Sequence, residues 1–367
     1  MKRAPFRADH VGSLLRPRRL KEARAAGMPA GELRAVEDEC IREVVARQEA
    51  LGLQSITDGE FRRSFYHVDF LSRLDGVDAA RKAHQVRYRG RRRSIDYDVP
   101  VPVVTGKLAR RSSLPLEEFG FLRSVTQRTA KICIPAPSML HYGGGREAVD
   151  RSAYPQMEEF FADLVRIYRE ELAALYAAGC RYVQLDDPNL AFLCDPLQSA
   201  RLRSRGEDAL SLAALYADLI RRAIKDRPPD MSVCVHLCRG NFSATGAARG
   251  GYEPIAEAVF GAAGVDGFFL EYDDARSGDF APLRFVPREA TVVLGLVTTK
   301  RADLEAPDAL RARIEQAARH VDISRLALSP QCGFSSTHHG TDLTEAEQDA
   351  KLALVVEVAR EVWGSQS

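Results

Sequence analysis

The stretch Ser232-Val233-Cys234-Val235-His236-Leu237-Cys238 is an apolar, β-branched run that ends in a histidine and a cysteine two positions apart. A run apolar on both faces suits a parallel strand covered by helices on each side, not a half-solvated antiparallel one. Side chains on a strand alternate, so His236 and Cys238 leave the same face while Leu237 points the other way. Two readings stand at this point: a metal-ligating pair, or a polar end to a core strand beside an inert thiol.

Working outward, seven runs of similar character accompany it: SITDGE (55–60), VPVVTGKL (101–108), ICIPAP (132–137), YVQLDD (182–187), GFFLEY (267–272), ATVVLGLV (290–297) and LALSP (326–330). Helix-period stripes lie between them, for example Phe160, Phe161, Leu164, Val165, Tyr168, Leu172, Leu175 and Tyr176, closed by Gly179. Further helices are expected over 31–50, 115–130, 207–224, 252–262, 307–319 and 344–363, the last opened by the cap-like Thr344-Glu345-Ala346-Glu347. Alternation of this kind predicts an α/β fold, a single (β/α)₈ TIM barrel over residues 1–367. No Gly-rich dinucleotide fingerprint follows the first strand to favour an open doubly wound sheet.

Two segments fall outside the alternation. Residues 1–30 form an N-terminal extension, and residues 75–100 contain VRYRGRRRSIDYDV, whose alternating character and central Gly90 predict a β-hairpin insertion. Its basic tip reads either as a solvated charged turn or as a lure for an anionic substrate tail.

Composition narrows the function. With 52 basic and 51 acidic residues the formal net charge is +1, so no global field draws the chain to nucleic acid or to an anionic membrane. The start, MKRAPFRADHVGS, lacks the apolar stretch of a secretory signal, and no run of apolar residues is long enough to span a bilayer; a cytoplasmic protein acting on small molecules is expected. Cysteines 40, 133, 180, 194, 234, 238 and 332 are odd in number and scattered, which argues for reduced thiols over a disulfide framework.

Polar residues gather where a barrel builds its site, at the C-terminal ends of the strands. They are Asp58-Gly59-Glu60, Asp186-Asp187-Pro188-Asn189, His236-Leu237-Cys238, Glu271-Tyr272-Asp273-Asp274 and Pro330-Gln331-Cys332-Gly333. A closed barrel brings these ends around one axis, so His236, Cys238, Glu271 and Cys332 offer one nitrogen, two sulfurs and one oxygen. Such a set suits tetrahedral Zn²⁺ and disfavours magnesium or calcium. Cys234 shares the strand face but lies deeper, and reads as core with the remaining cysteines.

Zinc held by two cysteinates and a glutamate is rich in negative charge, a poor activator of water and a good one of sulfur. An incoming thiol would lose its proton on coordination and stay nucleophilic. Glu271, the hard donor in a soft set, is the ligand such a thiol would displace. The competing reading, a purely structural zinc, usually draws paired ligands from short knuckles.

At these residues the chain resembles the cobalamin-independent methionine synthase family, in particular its C-terminal catalytic domain, over about residues 8–363. The resemblance places the family's zinc ligands on His236, Cys238, Glu271 and Cys332. It places the Gly-Ser element for the homocysteine carboxylate on Gly12 and Ser13, and the acids that hold the amino group on Glu60 and Asp186. It implies a small-molecule thiol substrate, homocysteine, and methyl transfer to its sulfur, with 5-methyltetrahydrofolate or its polyglutamate as first-choice donor.

The chain departs from that family in three ways. The 367 residues leave room for one barrel where long family members carry two. Phe192 stands for an acid that contacts the pterin, and the family's tryptophan platform is replaced near His141-Tyr142. The catalytic histidine after the seventh strand falls on Lys300, which could protonate or stabilise a leaving group if burial beside zinc lowered its pKa. Tyr142 and Phe192 could stack on a flat donor, and His338-His339 are expected in a loop near the mouth rather than as ligands. Alternatives are another zinc-activated thiol alkylation, such as epoxide opening by a small thiol, and a non-catalytic zinc- or thiol-binding barrel. A homo-oligomer, or a partner protein that delivers the methyl group, stays open.

Overall fold

The apolar runs become strands of one curled parallel sheet. In chain order the strands are β1 (Ser55–Ile56), β2 (Leu74–Asp78), β3 (Ala83–Arg89), β4 (Ser94–Pro100), β5 (Val103–Arg110), β6 (Thr129–Pro135), β7 (Tyr182–Asp186), β8 (Ser232–Leu237), β9 (Gly267–Glu271), β10 (Thr291–Val297) and β11 (Leu326–Pro330). The computed structural model describes residues 4–80, 83–89, 94–240 and 248–364. Seven strands pair in the order β1-β6-β7-β8-β9-β10-β11, and every pairing is parallel.

Helices cover the outside: α1 (Arg18–Ala25), α2 (Ala30–Leu51), α3 (Val68–Leu71), α4 (Leu114–Val125), α5 (Met157–Ala177), α6 (Pro188–Phe192), α7 (Pro196–Ser204), α8 (Ala209–Ile224), α9 (Glu253–Phe260), α10 (Pro307–Ala317) and α11 (Glu345–Trp363). The stripe on α5 packs Phe160, Leu164, Tyr168, Leu172 and Leu175 into the same core as the outward side chains Val183, Leu185, Val233 and Val235. Thr344 and Glu347 form a reciprocal capping box at the start of α11.

Residues 101–108, expected as the second barrel strand, are placed elsewhere. β5 pairs antiparallel with β2 outside the parallel sheet. Its physical signature fits that position, since Val103, Val104 and Leu108 are buried while Thr105 and Lys107 are exposed, a half-solvated strand. β3 and β4 pair antiparallel between them, from Ala83 opposite Pro100 to Arg89 opposite Ser94. Gly90 and the basic tip, 90–93, lie outside the described residues.

The eighth position in the ring is taken by the N-terminal segment. Ala8 bridges Leu328 of β11 in parallel, with Asp9 N–H donating to Leu328 O at 3.0 Å and Leu328 N–H to Arg7 O at 2.8 Å. On the other side the segment reaches β1, where the Ser55 hydroxyl donates to Asp9 Oδ1 at 2.8 Å. Asp9 and Lys131 of β6 form an ion pair at 3.1 Å with both side chains wholly buried. Asp9 also accepts from the Tyr182 hydroxyl at 2.8 Å, and the Lys131 ammonium donates to His10 O at 2.5 Å. Inside the ring, Phe6 and Val11 pack with Tyr182, Cys234, Phe269, Val293 and Ala327, so Cys234 sits in the barrel interior below the strand ends.

Removing one partner of a buried ion pair strands the other, at a cost of about 3–5 kcal/mol. Lys131→Met should therefore lower unfolding stability by roughly that amount, measured in denaturant. Adding Asp9→Asn should recover part of the loss; a double variant that is fully additive would show that the two groups do not act as a pair.

Candidate metal and substrate site

The strand register sets the site. Asp186, last in β7, lies opposite His236 of β8, and Cys238 follows directly after β8. Cys332 lies two residues past β11. The chain can turn inward there because Gly295 of β10 has no side chain: a Cβ would stand 2.7 Å from Gln331 Cα and 2.9 Å from Leu270 O.

These elements bring His236, Cys238 and Cys332 together, all buried, with donor atoms within 4.8 Å of one another. The two sulfurs are 3.0 Å apart and both thiols are free. Neither ring nitrogen of the buried His236 has a hydrogen-bond partner. The thiol contact with Cys332, together with burial, raises the Cys238 thiol well above its ordinary range. An imidazole without partners beside two free thiols is a donor set that fits zinc. Two thiolates on one tetrahedral zinc, each at about 2.3 Å, lie roughly 3.8 Å apart, so the sulfurs would have to part by less than about 1 Å.

Glu271, last in β9, stands beside this group but outside it. Its Oε2 accepts from Arg239 N–H at 2.9 Å, and its Oε1 pairs with Lys300 Nζ at 2.7 Å. Lys300 also pairs with Asp273 at 3.1 Å, and its side chain is 8% exposed. Burial pulls the Lys300 ammonium down, yet the charges of Glu271 and Asp273 outweigh it and the pKa is raised. With Glu271 and Asp273 beside it, Lys300 is held as a cation.

A second group adjoins the first. Glu60, Cys133 and Asp186 place ligand atoms within 4.8 Å of one another, all buried. Gln184 donates to Asp186 Oδ1 at 2.7 Å, while Glu60 Oε2 and Gln184 Oε1 are buried without a donor. Glu60 itself has a left-handed backbone (φ 59°), uncommon for a residue with a side chain. Gly12 (φ +133°) packs on this group: a Cβ there would come within 2.5 Å of Cys133 Sγ and 3.6 Å of Glu60 Oε1. Ser13 is buried, and a Cβ on Gly333 would overlap its Oγ, so the serine abuts the segment that carries Cys332.

Tyr142 and Phe192 meet with ring centroids 5.9 Å apart, both half-buried. His141 turns away to the Tyr216 hydroxyl at 2.9 Å. Among residues that the strand-end pattern did not single out, Cys133 joins the acids and the Arg239 backbone N–H holds Glu271, while Asp273, which the pattern did include, pairs with Lys300. Tyr66, raised well above its ordinary range by burial and then by the charges of Asp186 and Cys238, also faces the site. Tyr66 lies in a turn after β1, where no periodicity marks it; Cys133 alternates inward on β6, a signal that was available.

Burial raises the Glu60 carboxyl from the ordinary 4.5 to about 8, with Arg63 opposing and Asp186 reinforcing. A group that holds its proton more tightly when folded makes the folded state lose stability as pH rises between those two values. Glu60→Gln should flatten the decline in stability between about pH 4.5 and 8, measured by denaturant titration at several pH values. An unchanged slope would place the Glu60 proton elsewhere.

Comparison with known proteins agrees with this fold. The family profile described as "Cobalamin-independent synthase, Catalytic domain" matches residues 14–361. The YxjH and YxjG proteins of Bacillus subtilis (strain 168) are 45% and 43% identical, each over 99% of this chain and 96% of its own length. A 5-methyltetrahydropteroyltriglutamate–homocysteine methyltransferase of Herpetosiphon aurantiacus is 24% identical over 96% of this chain, which spans 42% of that longer protein. Among solved structures, a candidate vitamin-B12 independent methionine synthase from Listeria monocytogenes superposes with a TM-score of 0.80 at 37% identity, covering 100% of both chains. A B12-independent methionine synthase from Shewanella sp. W3-18-1, at 22% identity and TM-score 0.73 over 98% of each chain, shares the fold. A profile match along nearly the whole chain, on a barrel whose strand ends gather an imidazole and two thiols, makes this protein a member of the cobalamin-independent methionine synthase family.

Proposed function

We propose that the protein is a zinc-dependent methyltransferase that transfers a methyl group to the sulfur of homocysteine, giving methionine, with 5-methyltetrahydrofolate or its polyglutamate as donor. The observation that carries the reading is the convergence of His236, Cys238 and Cys332 beside a second, acidic group on the neighbouring strand ends. A bound zinc would supply the positive charge that lets a thiol give up its proton near neutral pH.

The chain's own residues do the rest. Glu60 Oε2 and Gln184 Oε1, buried acceptors without donors, suit the N–H groups of a substrate ammonium, and Asp186 adds a carboxylate beside them. Ser13 and the backbone around Gly12 are the groups offered to the substrate carboxylate. With the amino acid anchored there, its sulfur would reach toward Cys238 and Cys332, since Asp186 lies opposite His236. Glu271 is the fourth donor of the set and its one oxygen, and Lys300 is the cation that would receive it when a substrate sulfur takes its place. Tyr142 and Phe192 form an aromatic wall suited to a flat donor.

No helix among the described residues is long and apolar enough to cross a membrane.

The reading is tested by incubating zinc-loaded protein and homocysteine separately with methyltetrahydrofolate, methylcobalamin and simple methyl sulfur compounds, and measuring methionine. Methionine from none of them, with no proton release when homocysteine is added, would favour a non-catalytic barrel. Cys332→Ala should lose zinc by metal analysis and essentially all transfer, whereas Cys180→Ala, buried away from the site, should cost only stability. Asp186→Asn should raise the homocysteine KM by roughly ten- to a hundredfold, the worth of one charge-assisted hydrogen bond, with a smaller effect on kcat.

A further inference from the structure

The acidic group beside the imidazole and its two thiols contains a donor that a pocket for an ammonium does not need. Glu60, Cys133 and Asp186 bring a thiol and two carboxylates within 4.8 Å of one another, and all three residues are buried. An ammonium is served by oxygens alone, whereas a sulfur in the set is a ligand for a softer cation. The placement follows from the strands: Cys133 of β6 lies opposite Gln184 of β7, and Asp186 stands two positions further along the same face as Gln184.

The amide of Gln184 completes the group. Gln184 is wholly buried, and its Nε2 donates at 2.7 Å both to Asp186 Oδ1 and to Val11 O. The Cys133 thiol donates to the same Val11 carbonyl at 3.0 Å, so the amide and the thiol stand side by side. Gln184 Oε1 and Glu60 Oε2 are both buried acceptors without a donor. Leaving such an oxygen unsatisfied is costly, and a bound cation removes the cost.

The neighbouring cations are committed elsewhere. Arg63 stands 3.9 Å from Glu60 but donates to both carboxylate oxygens of Glu118, to Oε1 at 2.9 Å and to Oε2 at 2.5 Å. Lys131, lower on β6, pairs with Asp9. Gly12 closes the remaining side, since a Cβ there would lie 2.5 Å from Cys133 Sγ and 3.6 Å from Glu60 Oε1.

We propose that Glu60, Cys133, Asp186 and Gln184 Oε1 form a second site for a divalent cation of the zinc class, separate from His236, Cys238 and Cys332 and filled when no amino acid occupies the pocket. One thiolate, two carboxylates and an amide oxygen are a four-donor set that zinc accepts. Around one zinc such donors lie about 3.4–3.6 Å apart, so the three side chains would close by no more than roughly 1.4 Å. On binding, the proton that Cys133 shares with Val11 O, and any proton on the carboxylates, passes to solvent. Asp186 lies opposite His236, so the second ion would sit beside the first centre and bind more weakly, because two dications repel. The consequence for function rests on the amino-acid site proposed above: the ion takes the oxygens assigned to the substrate ammonium, so surplus metal excludes substrate and substrate expels surplus metal.

The test is equilibrium dialysis of the metal-free, reduced full chain against Zn²⁺ at buffered free concentrations, with bound metal measured. A tighter and a weaker class of bound zinc are expected. Cys133→Ser keeps a donor for Val11 O and adds no bulk, so it should fold; it should lose the weaker ion and keep the tighter one. Glu60→Gln should weaken the same ion by about tenfold or more, whereas Cys180→Ala should keep both. Zinc binding that is identical in the unaltered chain and in the Cys133→Ser and Glu60→Gln variants would overturn the proposal. Norleucine, an amino acid without sulfur, should displace only the weaker ion. If that ion is lost in Cys133→Ser yet norleucine leaves it in place, the metal site stands and the assignment of the substrate ammonium to Glu60 and Asp186 falls.

Discussion

A single buried carboxylate, that of Asp9, closes the ring. Seven strands in sequence order make an open curl, and the gap between β11 and β1 is filled by a segment too short and too polar to hold itself there. Asp9 supplies what is missing. It accepts from Ser55 on β1 and Tyr182 on β7 and pairs with Lys131 on β6, while its own backbone bonds to Leu328 on β11. Burying both charges is costly, and the return is positional, because an ion pair with several further hydrogen bonds tolerates one arrangement of the strands it joins. Lys131 also lies 4.1 Å from the face of Phe269, so the cation is enclosed by an aromatic wall as well as by oxygens.

Everything at the mouth depends on that closure. Cys332 comes from the last strand and Glu60 from the turn after the first, and they share a site only because the ring is shut. The residues just past Asp9 take part directly: Val11 and Gly12 carry carbonyls bonded to Gln184 and Thr57, and Gly12 must be a glycine because Cys133 occupies the space a side chain would need. The segment that shuts the barrel is thus the same one that offers Gly12 and Ser13 to a substrate.

The sequence made much of this legible, for physical reasons that also mark where reading stops. β7 through β11 are buried on both faces, so their apolar runs are continuous and cannot be mistaken for solvated strands. The His236/Cys238 pair follows from the two-residue period alone. VPVVTGKL misled because its apolar first half resembles a barrel strand, while Thr105 and Lys107, the residues that reveal a solvated face, come at its end. The eighth stave was invisible for the opposite reason. Its central residues, Asp9 and His10, are polar, and buried polar residues stabilised by partners 45 to 173 positions away leave no periodic trace. The same holds for the Lys300–Glu271 pair, whose members lie in the loop after β10 and at the end of β9.

Charge conservation links the two states of the proposed centre. The Cys332 thiol and burial both oppose a thiolate at Cys238, and Glu271 is balanced by Lys300. If a dication enters and both cysteines ionise, two charges arrive as two protons leave, so the net charge of the pocket does not change. The ring of partners around it, Asp273, Arg276 and Lys300, can then serve both states without rearrangement of the barrel. What must change is local: Glu271 either remains on Lys300 or turns to the metal, a choice between two cations. A substrate thiolate that takes the metal position would return Glu271 to Lys300, and on the proposed reading the lysine keeps the displaced carboxylate.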